Sequence, residues 1–165
     1  MRKHFRIWLV ALLVSVIPCL AQAAGAGSDN KKLGIGINLG EPLGANARFF
    51  FLDRFAADLT VGYGFGEQGF IIQPSLLFHL RRILDYNGSN FSIVPYFGAG
   101  LKTGVDLSGA NDGDGIVAAR FPIGAACFLK DGTFEISLEF APGVEFSPQT
   151  KFDPTGGIGL RYYFF

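Results

Sequence analysis

His79 is the side chain best suited to general acid–base chemistry, and it is the only histidine after residue 23. A hydrolase or acyltransferase would need a nucleophile at hydrogen-bond distance from it, about 2.6–3.2 Å. Ser75 shares its strand face, but four residues of extended chain separate the two by roughly 13 Å. Ser92 or Ser137 could meet it only across strands. The plainer reading is an interior or rim histidine satisfied by Gln73 or a carboxylate. Glu135 and Glu139 stand four apart on one strand face and could work as paired acids. With Arg48, Arg120 and Arg161 in the same chain, they read better as ion-pair partners.

Metal and phosphate chemistry find little footing. Asp112-Gly-Asp114 begins like a calcium loop, but the later bidentate glutamate is missing. Gly34-x-Gly36 and Gly62-x-Gly64 are not phosphate loops, because no helix follows either. One histidine and one cysteine beyond residue 23 cannot build a metal-ligand cluster of the usual kind. No cofactor, no metal and no catalytic residue is therefore expected, and the chain reads as a non-enzyme.

The elements that position these residues begin with a targeting segment. Arg2, Lys3, His4 and Arg6 precede an apolar run from Ile7 to Leu20, and Ala21-Gln22-Ala23 follows as a small-x-small site. This pattern predicts a signal peptide over residues 1–23. The run is shorter than the ~20 residues of a spanning helix, and no basic stop-transfer cluster follows it. Cys19 is a poor acylation site, because Val16-Ile17-Pro18 lacks the small residues such sites carry. Residues 24–32 are small and polar, a flexible lead-in. Removing residues 1–23 takes three of 14 basic residues and no acidic one, which leaves a formal net charge of −3. That balance argues against a nucleic-acid partner. Cys127 is then the only cysteine, so no intramolecular disulfide can form.

Residues 33–165 read as one all-β domain. Glycine alternates with β-branched and aromatic residues, and no apolar helix period is present. Eight strands are predicted: Leu33–Leu39, Leu43–Leu52, Phe55–Gly66, Phe70–Arg81, Phe91–Thr103, Ile116–Phe128, Thr133–Pro142 and a closing strand over 156–165. Pro74, Pro95, Pro122 and Pro142 fall inside them, and each removes a ladder donor. Side chains alternate across a strand, so every strand has an apolar face. The opposite faces are glycine-rich and collect Arg48, Lys102, Arg120 and Arg161 against Asp58, Glu135 and Glu139, with Gln73 and His79.

This near-balance of charge suits an enclosed interior, where each ion needs a partner. An eight-stranded wall leaves an interior just wide enough for side chains to fill it. The expected fold is an eight-stranded antiparallel up-and-down transmembrane β-barrel, with apolar faces toward lipid and a lumen closed by the ion-pair network Arg48, Asp58, Lys102, Arg120, Glu135, Glu139 and Arg161.

Four runs also carry a resemblance: Gly40-Glu-Pro-Leu-Gly44, Arg120-Phe-Pro-Ile-Gly124, Glu139-Phe-Ala-Pro-Gly143 and Gly156-Gly-Ile-Gly-Leu-Arg-Tyr-Tyr-Phe164. Together they resemble a family of small bacterial outer-membrane β-barrel proteins of uncharacterised activity, similar in build to the OmpA/OmpX type. The resemblance implies the cell outer membrane as location. It implies outer-membrane lipid and, during biogenesis, the barrel-assembly machinery as partners. The aromatic terminal pattern read by that machinery is kept when counted from Phe164 and broken at Arg161 when counted from Phe165. The expected role is that of a monomeric structural or surface-interaction protein. A lipid-modifying enzyme using His79 and a secreted lipocalin-like carrier are the alternatives.

Overall fold

The computed structural model describes residues 32–66, 68–80, 84–85, 91–107, 113–129, 132–147 and 149–164. The signal peptide expected at 1–23, the lead-in up to residue 31, Arg81, Asp112 and Phe165 lie outside the described residues. Among these residues the chain forms β1 (Leu33–Glu41), β2 (Leu43–Phe50), β3 (Phe55–Gly64), β4 (Gly69–His79), β5 (Leu84–Asp85), β6 (Phe91–Val105), β7 (Gly115–Arg120), β8 (Ile123–Leu129), β9 (Phe134–Ala141), β10 (Gly143–Ser147), β11 (Lys151–Phe152) and β12 (Thr155–Tyr163).

Eight of the resulting wall strands close into one antiparallel barrel. β7 and β8 together make one wall strand, interrupted at Phe121 and Pro122; β9 and β10 make another, interrupted at Pro142. β5 adds to β6, and β11 adds to β10. Closure comes from β1 against β12, with Gly34 opposite Tyr163 and Glu41 opposite Gly156. A sheet closed this way has no edge strands to template aggregation. The eight expected strands are all present. The sixth is split at its proline, and the seventh continues past Pro142 as β10 into residues expected to be loop. In both cases a missing N–H breaks the ladder without ending the strand.

The alternation of side chains then sorts the sequence into an inside and an outside. Ile35, Ile37 and Leu39 of β1, Leu59 of β3, Leu76 of β4, Leu138 of β9 and Leu160 of β12 all point outward and are exposed. Asn46, Arg48, Asp58, Gln73, Ser75, Lys102, Arg120, Glu135, Ser137 and Arg161 point inward and are buried. The barrel is thus apolar outside and charged inside, the reverse of an ordinary soluble core.

Aromatic rings gather on the outer surface near the end where both barrel termini lie. Phe51, Phe55, Phe78 and Phe97 form one chain of ring contacts, with centroids 6.2, 4.9 and 5.6 Å apart. Phe134, Tyr162 and Phe164 form a second, at 5.1 and 4.9 Å. Toward the opposite end, Tyr63, Phe65, Phe70, Phe146 and Phe152 are exposed. Most of the large side chains between these belts are aliphatic.

Glycine on the inner face makes the narrow interior possible. A Cβ on Gly36 would lie 1.8 Å from the carbonyl oxygen of Leu160 on β12, a backbone atom that cannot move aside. Gly115, at the exposed start of β7, has nothing within 4 Å of such a Cβ. Gly36→Ala should therefore lower the unfolding free energy of the detergent-folded barrel by about 1–3 kcal/mol. Gly115→Ala should leave it within about 0.5 kcal/mol of the parent. Denaturant titration followed by circular dichroism reads both.

Candidate functional site

The interior is built in tiers, and the central one is a square of four charges. The β2–β3 register sets Arg48 opposite Asp58, and the β9–β12 register sets Arg161 opposite Glu135. Arg48 Nε donates to Asp58 Oδ2 at 2.7 Å, and Arg48 Nη1 donates to Glu135 Oε1 at 2.8 Å. Arg161 Nη1 donates to the same Glu135 oxygen at 2.6 Å, while its Nη2 lies 3.5 Å from Asp58 Oδ2. Each carboxylate therefore faces two guanidinium groups, and the square is neutral.

Neutral polar groups take up most of the remaining valences, while Arg48 Nη2 has no hydrogen-bond partner among the described residues. Tyr163 donates to Glu135 Oε2 at 2.5 Å, and Ser137 Oγ accepts from Arg161 Nη1 at 2.7 Å. Asn46 donates to Asp58 Oδ1 at 2.9 Å and to Thr60 Oγ1 at 2.7 Å. Its side-chain oxygen accepts from Arg161 Nε. That last bond crosses over β1, between β12 and β2. It is possible because Gly36 stands opposite both Arg161 and Asn46 and has no side chain to intervene.

A second tier joins Arg120 to Glu139, with Nη2 donating to Oε1 at 2.7 Å. Ser75 Oγ accepts from Arg120 Nη1 at 3.2 Å, and Tyr96 donates to Glu139 Oε2 at 2.9 Å. The Tyr96 ring also receives the Arg48 guanidinium, 4.8 Å from its centroid, which ties this tier to the square. Between them lies a cavity of about 10 Å³, bordered by Asn38, Thr60, Gln73, Arg120, Glu139 and Arg161 among others. That is room for about one water molecule. A lumen of this kind is a packed interior, not a channel.

Six of the seven residues assigned to the network from sequence thus meet in two adjoining clusters. Lys102 lies apart from them. Its Nζ is 2.9 and 3.1 Å from the carboxylate oxygens of Asp153. Asp153 lies in the connection between β11 and β12, in a stretch that the sequence pattern shows only as a loop. The Asp153 amide donates to the Gly143 carbonyl at 3.0 Å, which holds this residue at the barrel mouth. Glu145, almost fully buried, has Lys151 at 3.3 Å beside it, in the β10–β11 hairpin. Strand parity puts Asn46, Tyr96 and Tyr163 on the same faces as Arg48, Lys102 and Arg161, but it carries no signal of their roles in the network.

His79 sits below the square in an aromatic floor, at the end of the barrel where the termini lie. Its ring is 4.8 Å from that of Phe50 and 5.2 Å from that of Tyr96. Phe128 and Tyr163 complete the cluster around Phe50, at 6.4 and 6.1 Å. Among the described residues, neither ring nitrogen has a hydrogen-bond partner that meets the geometry of a hydrogen bond. The expectation that Gln73 or a carboxylate satisfies it is thus corrected: those groups lie in the tiers above and the floor around His79 is apolar. Ser137 and Ser75 both accept from arginines. Cys127 is a half-buried free thiol, and among the described residues no cluster of histidine, cysteine or carboxylate side chains could hold a metal ion.

The fold and its interior define the class: a small closed eight-stranded antiparallel barrel whose lumen is filled by a buried ion-pair network. Comparison with protein-family models, curated proteins and solved structures finds no match to this chain.

Glu135 is the acid on which both arginines of the square converge. Glu135→Ala would leave two buried cations and the Tyr163 hydroxyl without that partner. The expected loss is about 3–5 kcal/mol of stability, as for breaking a buried pair from one side. Ser137→Ala, which removes a single hydrogen bond, should cost about 1 kcal/mol. Equal effects in parallel denaturant titrations would show that the square is not the centre of the interior.

Proposed function

We propose that this chain is a small monomeric β-barrel of the bacterial outer membrane. In this reading it serves as a structural element of the envelope or presents its short loops as an interaction surface, and it carries out no catalysis. The observation that carries the reading is the sidedness of the wall. Leu138 is 66% and Leu76 62% exposed, while Arg48 and Glu135 are 0% and 1% exposed. In water, such an exterior would be an apolar patch far beyond what monomers tolerate. Against hydrocarbon, it is the favourable surface, and the charges are neutralised within.

Two further observations support it. Aromatic residues form belts toward both ends of the barrel, with aliphatic residues between them, the distribution expected at two membrane–water interfaces. β3 and β4 contain 10 and 11 residues, the length a tilted strand needs to span a bilayer core. The signal peptide expected from residues 1–23 routes the chain out of the cytoplasm, and spanning barrels of this size are a feature of outer membranes. Because β1 pairs with β12, the sheet is complete without a second chain. The structural role rather than an enzymatic one is favoured by the surroundings of His79: aromatic rings pack against it, and among the described residues no hydroxyl is bonded to either ring nitrogen.

Fractionation of the expressed protein should recover it with the outer membrane, and unheated samples should migrate on a gel differently from boiled ones. A substitution separates the membrane reading from a secreted soluble barrel. Leu138 stands midway along β9 and faces outward. In a bilayer, Leu138→Arg should destabilise folding into vesicles by about 2–4 kcal/mol, and Phe164→Arg, beyond the strand end, by about 0–1 kcal/mol. For a barrel in water, both changes would fall within about 0.5 kcal/mol of the parent. That result would exclude the membrane assignment.

A further inference from the structure

Four prolines interrupt four neighbouring wall strands, although a closed sheet has no edge on which to place them. In an antiparallel ladder, a residue's N–H and C=O point to the same neighbour. The Pro95 carbonyl accepts from Leu80, just past β4, at 2.8 Å. The Pro122 carbonyl accepts from Gly98 of β6 at 2.8 Å, and the Pro142 carbonyl accepts from Phe121, between β7 and β8, at 2.9 Å. The donors missing at these prolines would have crossed the same three seams. At Pro74, the β4–β6 register lapses: Ile72 faces Thr103, and pairing resumes only with Ser75 opposite Gly100. Ladder bonds are thus lost from three consecutive seams. The seams β12–β1, β1–β2, β2–β3 and β3–β4 run in unbroken register.

The weakened wall is also thin. Across these seams β6 reads Gly98-Ala99-Gly100, with glycine on the inner side and alanine on the outer. Gly100 stands opposite Ser75 on one flank and Arg120 on the other. Arg120 and Gln73, 4% and 1% exposed, each keep a donor nitrogen without a partner among the described residues, Nε and Nε2, and both residues border the interior cavity. Glu139 holds the Nη2 edge of Arg120 and leaves the Nε edge open. A guanidinium N–H and an amide N–H that border one cavity are donors suited to the oxygens of a phosphate.

We propose that this proline-interrupted wall is a lateral port, through which the anionic headgroup of a lipid in the surrounding bilayer reaches Arg120 and Gln73. The proposal rests on the membrane reading above. The port opens by parting the β4–β6 seam, where the donors at Pro74 and Pro95 are both missing. The Nε of Arg120 and Nε2 of Gln73 then donate to the headgroup phosphate.

Two measurements on the full mature barrel in zwitterionic detergent micelles test this. The first needs no variant. In hydrogen–deuterium exchange, amides of residues 97–101 and 121–125 should exchange about tenfold faster than those of 35–39 and 158–162, as expected where roughly one ladder bond is missing per opening. Equal protection would overturn the port. A barrel that inserts into vesicles yet shows equal protection sinks only this inference, whereas failure to insert sinks the membrane reading itself.

The second follows the Arg120 side-chain N–H resonance during titration. Dihexanoyl phosphatidylglycerol should shift it, whereas inorganic phosphate should not. In a Cys127→Ala background, the disulfide pair Leu76→Cys with Ala99→Cys locks the β4–β6 seam, since Leu76 and Ala99 face each other on the outside. That staple should abolish the shift. The pair Ala45→Cys with Val61→Cys, across the intact β2–β3 seam, should preserve it. A shift given equally by phosphate, or one that survives the β4–β6 staple, would mean entry through the barrel mouth and would overturn the proposal. So would the absence of any shift with phosphatidylglycerol.

Discussion

Everything in this barrel depends on charge neutralisation within a closed wall. Two arginines and two carboxylates form a square in which each ion faces two of opposite sign. An ion buried without such partners is prohibitively unfavourable, so each of these side chains is tolerable only because the others are present. The square also spans the barrel: Arg48 joins β2 to β3 and β9, and Arg161 joins β12 to β9 and β3. A barrel with this interior cannot widen into a channel without separating charges in a low-dielectric space.

Closure and interior chemistry impose conditions on each other. Eight strands make a narrow wall, and arginine and tyrosine side chains are long. They fit because glycine recurs on the inner face where they cross. Gly36 lets Arg161 reach Asn46 over β1, and Gly34 and Gly124 lie beneath the rings of Tyr163 and Tyr96. The glycines weaken individual strands. Closure compensates, since each wall strand is bonded on both flanks, and the cross-barrel ion pairs then hold the strands in register. A slip by one residue would turn the network out and the leucines in.

Much of this was legible in the sequence, for one physical reason. A strand's side-chain period is two, so a single apolar residue on a strand fixes the direction of all the others. Once Phe49, Leu59 and Leu138 are assigned outward, Arg48, Asp58 and Glu135 must point inward. What parity cannot give is depth. Lys102 shares the inner face with the other cations, yet it sits nearer the mouth and pairs with Asp153. His79 shares a face with Gln73 and Ser75, yet it lies in the aromatic floor and they border the polar tiers. Depth depends on the stagger between strands, and the stagger is set by turns and loops that carry no period. The residues misread are accordingly those at the two ends, where the hairpin of β10 and β11 and the ring cluster around Phe50 form.

The prolines show where the regular pattern gives way. On one side of the barrel, β12, β1, β2 and β3 pair continuously around the square. On the other, Pro74, Pro95, Pro122 and Pro142 remove donors from three adjoining seams. In water, a carbonyl left without its ladder donor finds a solvent molecule. In hydrocarbon it finds none and is costly, so chance placement of four such residues in one wall would be disfavoured. The asymmetry therefore acquires meaning from the apolar exterior. The same leucine-covered surface that makes a bilayer the favourable solvent makes a broken ladder within it expensive, and the break lies beside Arg120 and Gln73, two of the interior groups whose donors are unused among the described residues.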